Sequence, residues 1–286
     1  MAACSTGSSA PADPQLPELR RVMSSYAPVV THQVPGSPGH SSVVLGHSSR
    51  QADVDRLASE IGPAVDAVSA VWGTDWARAA VVAVASDDSE FAALTHSQGS
   101  VSTEVAAASV SDPVVPGRQP TGQRVVFAAD AGTRLGPDGL RETLRHELTH
   151  IAARARTVDG SPQWVLEGFA EYCGRRGDGQ RFARSAPTVT ARARAGDLPA
   201  DLPVDAAFTP DNAAGDPAAA YEQAWSANAF VAERFGERAL VALYRRLATG
   251  PQDGPALDRG MRDVLGIGHD EFVTAWRQWI AARAAT

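Results

Sequence analysis

The heptapeptide Leu144-Arg145-His146-Glu147-Leu148-Thr149-His150 constrains this chain more than any other stretch. Its two imidazoles stand four residues apart, and on an α-helix residues i and i+4 lie on one face, a turn apart. Leu140, Leu144, Leu148 and Ile151 recur at helical spacing around them, the pattern of a helix with one side buried. The spacing predicts a helix from about residue 138 to 155, opened near Pro137-Asp138. Arg154 and Arg156 fall at its C-terminal end, where positive charge suits the helix dipole and a substrate carboxylate is a second use. On such a helix His146 and His150 can hold one Zn²⁺ together. Glu147 then projects beside the ion, in the position of a general base toward a water on the metal.

A second apolar run, Trp164-Val165-Leu166-Glu167-Gly168-Phe169-Ala170-Glu171-Tyr172, carries two carboxylates four residues apart. Acids set among Trp, Leu, Phe and Tyr are out of place on a purely structural surface helix. Catalytic zinc takes three protein ligands and keeps one position open, and a glutamate from a second helix completes the His₂Glu type of site. Glu167 is the expected third ligand. Glu171, one turn further on the same face, is expected to accept a hydrogen bond from a ligand histidine's second nitrogen and so fix its ring.

These two stretches resemble the gluzincins, the thermolysin-like and aminopeptidase-like metallopeptidases, and within them the small bacterial peptidase MA-like domains. Those families pair H-E-x-x-H with a later helix like E-G-x-A-E-Y. The likeness runs over roughly residues 40 to 280, since Ala220 to Ser226, Phe235-Gly236-Glu237, Leu265-Gly266-Ile267, Glu271-Phe272 and Trp276-Arg277 are similar to that domain's closing helices. It implies an α+β fold: a small, twisted, mostly antiparallel sheet, then the zinc-binding helix pair, then a C-terminal helical lobe. It implies a Zn²⁺ cofactor and a peptide or protein substrate laid along an edge strand, for which Val125-Val126-Phe127-Ala128 is the candidate. An interior strand without substrate contact is the other reading of those four residues. The resemblance also implies an oxyanion donor from a helix beyond the ligand glutamate. Tyr221 is the candidate, and packing or capping at a helix start is its alternative. A metzincin would need a third His shortly after the motif, and none follows until His269. An acidic pocket for a substrate's α-amine, of the G-x-M-E-N kind, has no counterpart here, so an endopeptidase is preferred over an aminopeptidase. The competing class is a catalytically inactive, zinc-binding interaction domain of the cell envelope.

Composition narrows the partners. The net charge of −7 comes from 33 acidic and 26 basic residues, every basic residue is Arg, and no basic block stands out. This argues against a nucleic-acid partner. With 286 residues, 44% of them hydrophobic, the chain can bury a core without disulfide staples. Of its two cysteines, Cys173 ends the Glu167 helix and reads as a small buried hydrophobe. Cys4 follows Ala2-Ala3 and precedes a Ser/Gly/Pro-rich stretch, which resembles the lipidated cysteine of a bacterial lipoprotein and its tether. That reading places the protein outside the cytoplasm, anchored through Cys4; an incidental cysteine in a cytoplasmic protein is the alternative.

The rest of the chain divides into a tether over residues 1 to 40, with a short helix or strand at Leu16 to Met23, and a peptidase-like domain over 41 to 286. Its sheet-containing lobe covers about 41 to 155 and its helical lobe about 156 to 286. Val54, Leu57, Ile61, Val65 and Val68 mark an amphipathic helix from Arg50 to Trp72. Ala79 to Ala85, Val101 to Val110 and Gln123 to Ala129 read as strands, and Asp87-Asp88 opens a helix ending near Leu94. Gly174 to Asp216 reads as a long surface excursion, and Tyr221 to Arg283 as helical. His32, His40, His47, His96 and His269 lack a ligand partner at useful spacing and are expected at the surface.

Overall fold

The computed structural model describes residues 13–36, 40–97, 105–114, 118–177, 182–209 and 216–286. Its architecture is α+β, a five-stranded sheet followed by a helical lobe. The sheet is organised by the chain's apolar runs. Two strands, β1 (Val29–Pro35) and β2 (Ser41–His47), form an antiparallel hairpin-like pair. A 22-residue helix, α2 (Gln51–Trp72), then crosses to β3 (Val81–Val84), which lies parallel to β2. After α3 (Asp88–Thr95), β4 (Ala107–Val110) and β5 (Arg124–Phe127) complete the order β1-β2-β3-β5-β4. The sheet is therefore mixed, with parallel β2–β3 and β3–β5 pairings inside and antiparallel pairs at both sides. Parallel neighbours require a crossover, and α2 and α3 supply it.

All four residues of β3 are buried because helices cover both faces of the sheet. Val82 and Val84 join the larger core with Val54, Leu57 and Ile61 of α2, whereas Val81 and Ala83 join a smaller core on the opposite face. That second core is closed by α1 (Leu16–Ser24), whose Leu16, Leu19 and Met23 are buried, and by Phe91 and Leu94 of α3. Within the segment read as a tether, residues 16–24 thus form a helix, and β1 pairs with β2 along its whole length. The helix lies where Leu16 to Met23 implied a short helix or strand, whereas the apolar residues of β1 are few and half-buried, too sparse to signal a strand alone. Cys4 and residues 101–104 of the expected strand lie outside the described residues.

The motif helix, α4 (Ala131–Ala153), bends at Gly136, whose φ of +66° is open to glycine, and the straight segment starts at Pro137, as the sequence implied. Leu140, Leu144, Leu148 and Ile151 are its buried face. Antiparallel to it runs α5 (Gln163–Arg175), and α8 (Pro217–Phe235) packs on the far side of α5. Mutual ring contacts of Phe169 with Trp72 and Tyr244, at 5.7 and 5.0 Å between centroids, hold α5 against the sheet-side helix and the helical lobe.

Among its described residues, the expected surface excursion is anchored to the core by short elements. It contains α6 (Phe182–Ser185), α7 (Pro187–Arg194) and a 3₁₀ turn over Asp205–Phe208. Phe182, Val189, Leu202 and Phe208 are buried, and the buried Glu222 carboxylate accepts the Val189 N–H at 2.9 Å, satisfying the first turn of α7. These anchors come singly between polar residues, which is why no periodicity reveals them. The lobe ends with α9 (Glu237–Leu247), α10 (Gly254–Leu265) and α11 (His269–Ala284). Among the described residues no helix is long and apolar enough to cross a membrane.

His47 departs from its expected place at the surface. It is 1% exposed at the end of β2, with Nε2 2.9 Å from both carboxylate oxygens of a fully buried Glu90 and Nδ1 3.2 Å from the Pro28 carbonyl. The glutamate is the partner that burial of a histidine demands, and it sits 43 residues away in sequence. His32, His40, His96 and His269 are all at least partly exposed.

Candidate metal centre

Four residues apart on α4, His146 and His150 turn Nε2 toward the same point, 3.1 Å from each other. From α5, Glu167 Oε2 approaches at 3.3 Å from His146 Nε2 and 3.5 Å from His150 Nε2. Among the described residues this is the group of three side chains placed to hold a metal ion. Donors about 2.0–2.2 Å from a tetrahedral zinc lie roughly 3.3–3.5 Å from one another, so the triangle has the dimensions of one face of that polyhedron. The donor chemistry, two imidazoles and one carboxylate, fits zinc equally well.

Glu171 fixes which nitrogen faces that point. Its Oε1 is 3.1 Å from His146 Nδ1, so the ring donates Nδ1–H to the carboxylate and turns Nε2 toward the centre. Arg175, the last residue of α5, lies 2.5 Å from the other oxygen of Glu171. Electrostatics follow from this crowding. Burial disfavours a charged His146, but Glu167 and Glu171 outweigh it and raise its pKa well above the ordinary value. Burial would likewise raise Glu167, yet the two imidazoles hold its carboxyl far below the usual range. Glu171 is also lowered, with His146 and Arg175 overcoming burial. In the absence of a cation the cluster keeps a proton on His146, and a metal ion must displace it.

Glu147 is 7% exposed, and it lines the cleft together with His146 and Tyr221. Tyr221 is the fifth residue of α8, its ring edge-on to Phe208 at 5.2 Å. Burial first, then the charges of Glu167, Glu171 and Glu147, raise its pKa, so the hydroxyl stays protonated and able to donate. The structure thus brings all six sequence-selected residues into one neighbourhood.

The cleft extends to both sides of this group. One cavity of about 530 Å³ is lined by Ala108 and Ser109 of β4 and by His150, Arg154, Gln163 and Tyr244. Another of about 540 Å³ is lined by Val105, Leu135, Phe208, Pro217 and Arg175. Ala107, His146, Glu147 and Tyr221 border both. The strand beside the site is therefore β4, the outermost strand of the sheet among the described residues; Val125 to Ala128, the sequence candidate, belongs to interior β5 and its end. Arg124–Phe127 is buried throughout because β3 and β4 flank it, whereas β4 is half-buried and close to α4.

Arg154 borders the cleft with its guanidinium donating to the Thr157 carbonyl and to Asp159 at 3.0 and 2.7 Å, and Arg156 pairs with Asp75. Cys173 is buried against the helix pair, and burial pushes its thiol up to about 12, as suits an inert core side chain. Sequence reading missed Phe208, Tyr244 and Arg175 as neighbours of the site. Only Arg175 left a trace, four residues beyond Glu171 at helical spacing.

No family model and no curated protein matches the chain. Among solved structures it is similar to an M1 zinc metallopeptidase of Deinococcus radiodurans in a glutamate-to-alanine mutant form. The TM-score is 0.52 at 15% identity, over 88% of this chain and 52% of that one. A two-domain M1 zinc metallopeptidase bound to L-arginine aligns with a TM-score of 0.48 at 15% identity, over 89% of this chain and 52% of that one. The D. radiodurans enzyme bound to a Tyr-Ser-Ala substrate aligns with 0.46 at 16% identity, over 90% and 53%. The chain spans about half the length of these structures. The first of them shows a zincin-like, peptidase-like fold for this chain.

Proposed function

We propose that this protein is a zinc-dependent peptidase that cuts inside peptide chains, with His146, His150 and Glu167 as metal ligands and Glu147 as general base. The observation that carries the reading is the triangle of donor atoms, 3.1 to 3.5 Å on a side, at the middle of a cleft that continues in both directions. Zinc bound there supplies a Lewis acid that acidifies water and polarises a carbonyl. Glu147 accepts the proton of the attacking water and returns it to the leaving amine. Tyr221 donates its hydroxyl to the oxyanion as charge develops, and Glu171 keeps His146 in the tautomer that leaves Nε2 free.

The outer edge of β4 supports an extended substrate, since its backbone groups, which no described strand pairs, can hydrogen-bond a peptide running alongside Ala107, Ala108 and Ser109. Cavities on both sides of the ligand group favour an endopeptidase, because the chain must pass through the site. Val105, Leu135, Phe208 and Pro217 give one side an apolar lining, suited to an apolar side chain next to the scissile bond. The small residues before Cys4 support a further proposal, a lipid-anchored protein outside the cytoplasm.

Internally quenched peptides blocked at both ends test the reading. Hydrolysis that stops with a chelator and returns with zinc is expected. Cleavage restricted to peptides with a free terminus would replace it with an exopeptidase. A protein holding stoichiometric zinc yet cutting neither kind would instead be the inactive, metal-binding interaction domain.

A further inference from the structure

The geometry points to Arg175 as a positioning residue of the metal centre, acting through Glu171 on His146; the inference rests on the zinc reading above. Glu171 uses its two oxygens for different tasks. Oε1 meets His146 Nδ1 at 3.1 Å, and Oε2 meets the Arg175 guanidinium at 2.5 Å. The carboxylate is thereby gripped from both ends.

The guanidinium is itself held from a third element. Another of its nitrogens donates to the Ser185 carbonyl at the end of α6, at 2.8 Å. Nε lies 3.9 Å from Glu142, one turn before His146 on α4. A planar fork with donors in fixed directions can satisfy acceptors on α4, α5 and α6 at once, which a lysine ammonium does less well. Arg175 is thus the joint between the helix pair and the segment that follows it.

Its charge has a purpose at this place. Glu167 and Glu171 both lie within 3.3 Å of the same imidazole, and two carboxylates on one turn-spaced face repel each other. Arg175 neutralises the outer one and leaves the inner one to the metal. Without it, Glu171 is free to leave its rotamer and seek water, since its side chain is 15% exposed. His146 then loses the acceptor that orients its ring, although no ligand has been altered.

Chelator-competition titration of zinc on the full chain tests this, with Arg175→Gln, Arg175→Ala, Glu171→Ala and the double variant Glu171→Ala/Arg175→Gln. Loss of an outer partner of this kind typically weakens metal binding about 10–100-fold, and Arg175→Gln is expected at the lower end of that range. The double variant is expected to bind no more weakly than Glu171→Ala alone, because the arginine acts through that carboxylate. The cobalt(II) absorption spectrum of Arg175→Gln should shift in the same sense as that of Glu171→Ala, a change that loss of α6 docking alone would not produce. If Arg175→Ala fails to fold, Arg175→Gln carries the same outcomes. Tight zinc binding by the wild type, with affinity in the Arg175 variants unchanged within about threefold, or full additivity in the double variant, overturns the inference and leaves the zinc reading intact. A wild-type chain that binds no zinc removes both.

Discussion

Gly168 and Asn228 are so closely apposed that a β-carbon on Gly168 would fall 2.2 Å from the Asn228 amide nitrogen and 2.4 Å from the Ala224 carbonyl oxygen. That amide donates to the carbonyls of both Trp164 and Ala224, tying α5 to α8 one residue from Glu167. Gly168→Ala must push the helices apart. Overpacking of this kind costs about 1–3 kcal/mol, and the shift carries Glu167 away from the imidazoles. Calorimetry should give a lower Tm, and a zinc titration weaker binding. An alanine variant equal to wild type in both would mean that the helix contact does not set the ligand's position.

Glu167 and Glu171 share a face of α5 but not a role. Glu167→Ala removes an anion from the ion's own ligand set, whereas Glu171→Ala removes an orienting contact worth roughly 10–100-fold in affinity. Zinc binding should therefore fall far more in the first variant. The reverse order in a competition titration would exchange the two assignments.

Tyr221 is held edge-on by Phe208 and borders both halves of the cleft. If its hydroxyl meets the oxyanion, Tyr221→Phe keeps the ring and removes a bond made in the transition state. The turnover number should drop about 10²–10³-fold with KM and zinc content little changed. A change under about threefold, less than 1 kcal/mol of barrier, would leave the residue a packing role only.

The charge cluster also sets how stability of the metal-free protein depends on pH. Glu167 and Glu171 have folded pKa values below their reference of 4.5, so their contribution is present above that pH and is lost as pH falls below it. His146 is raised well above 6.5, so its contribution is complete below 6.5 and is lost as pH rises through the folded value. The metal-free protein should be most stable between those limits and weaken toward alkaline pH. Zinc should reverse the alkaline trend, because it takes the place of the His146 proton. Melting curves across pH, with chelator and with zinc, measure this. Rising stability of the metal-free form into alkaline solution would show that His146 does not carry the proton.

What the sequence disclosed and what it hid divide along physical lines. The H-E-x-x-H motif selected His146 and His150, and two acids in an apolar run selected Glu167 and Glu171, each pair set on one face by the local repeat of 3.6 residues. Leu140 to Ile151 gave the helix around them for the same reason. The edge strand was another matter. Val125 to Phe127 and Ala107 to Val110 are both short β-forming runs, and only the pairing order decides which is interior. The small mixed sheet, rather than a mostly antiparallel one, depends on the α2 crossover, which hydrophobic patterning does not specify. His47 and Glu90 make a buried hydrogen-bonded contact between distant elements, and nothing at either position announces it. Phe208 and Tyr244 reach the cleft from parts of the chain 62 and 98 residues from His146, a distance at which periodicity carries no information.

Glu147→Gln tests most directly whether the zinc site's base is separable from its ligands. The change removes the proton acceptor and spares His146, His150 and Glu167. Elemental analysis of this variant and of wild type, paired with hydrolysis of a blocked peptide, should give one zinc per chain in both and turnover in the wild type alone. Retained turnover in the variant, or a wild type that holds no zinc after reconstitution, would contradict the account.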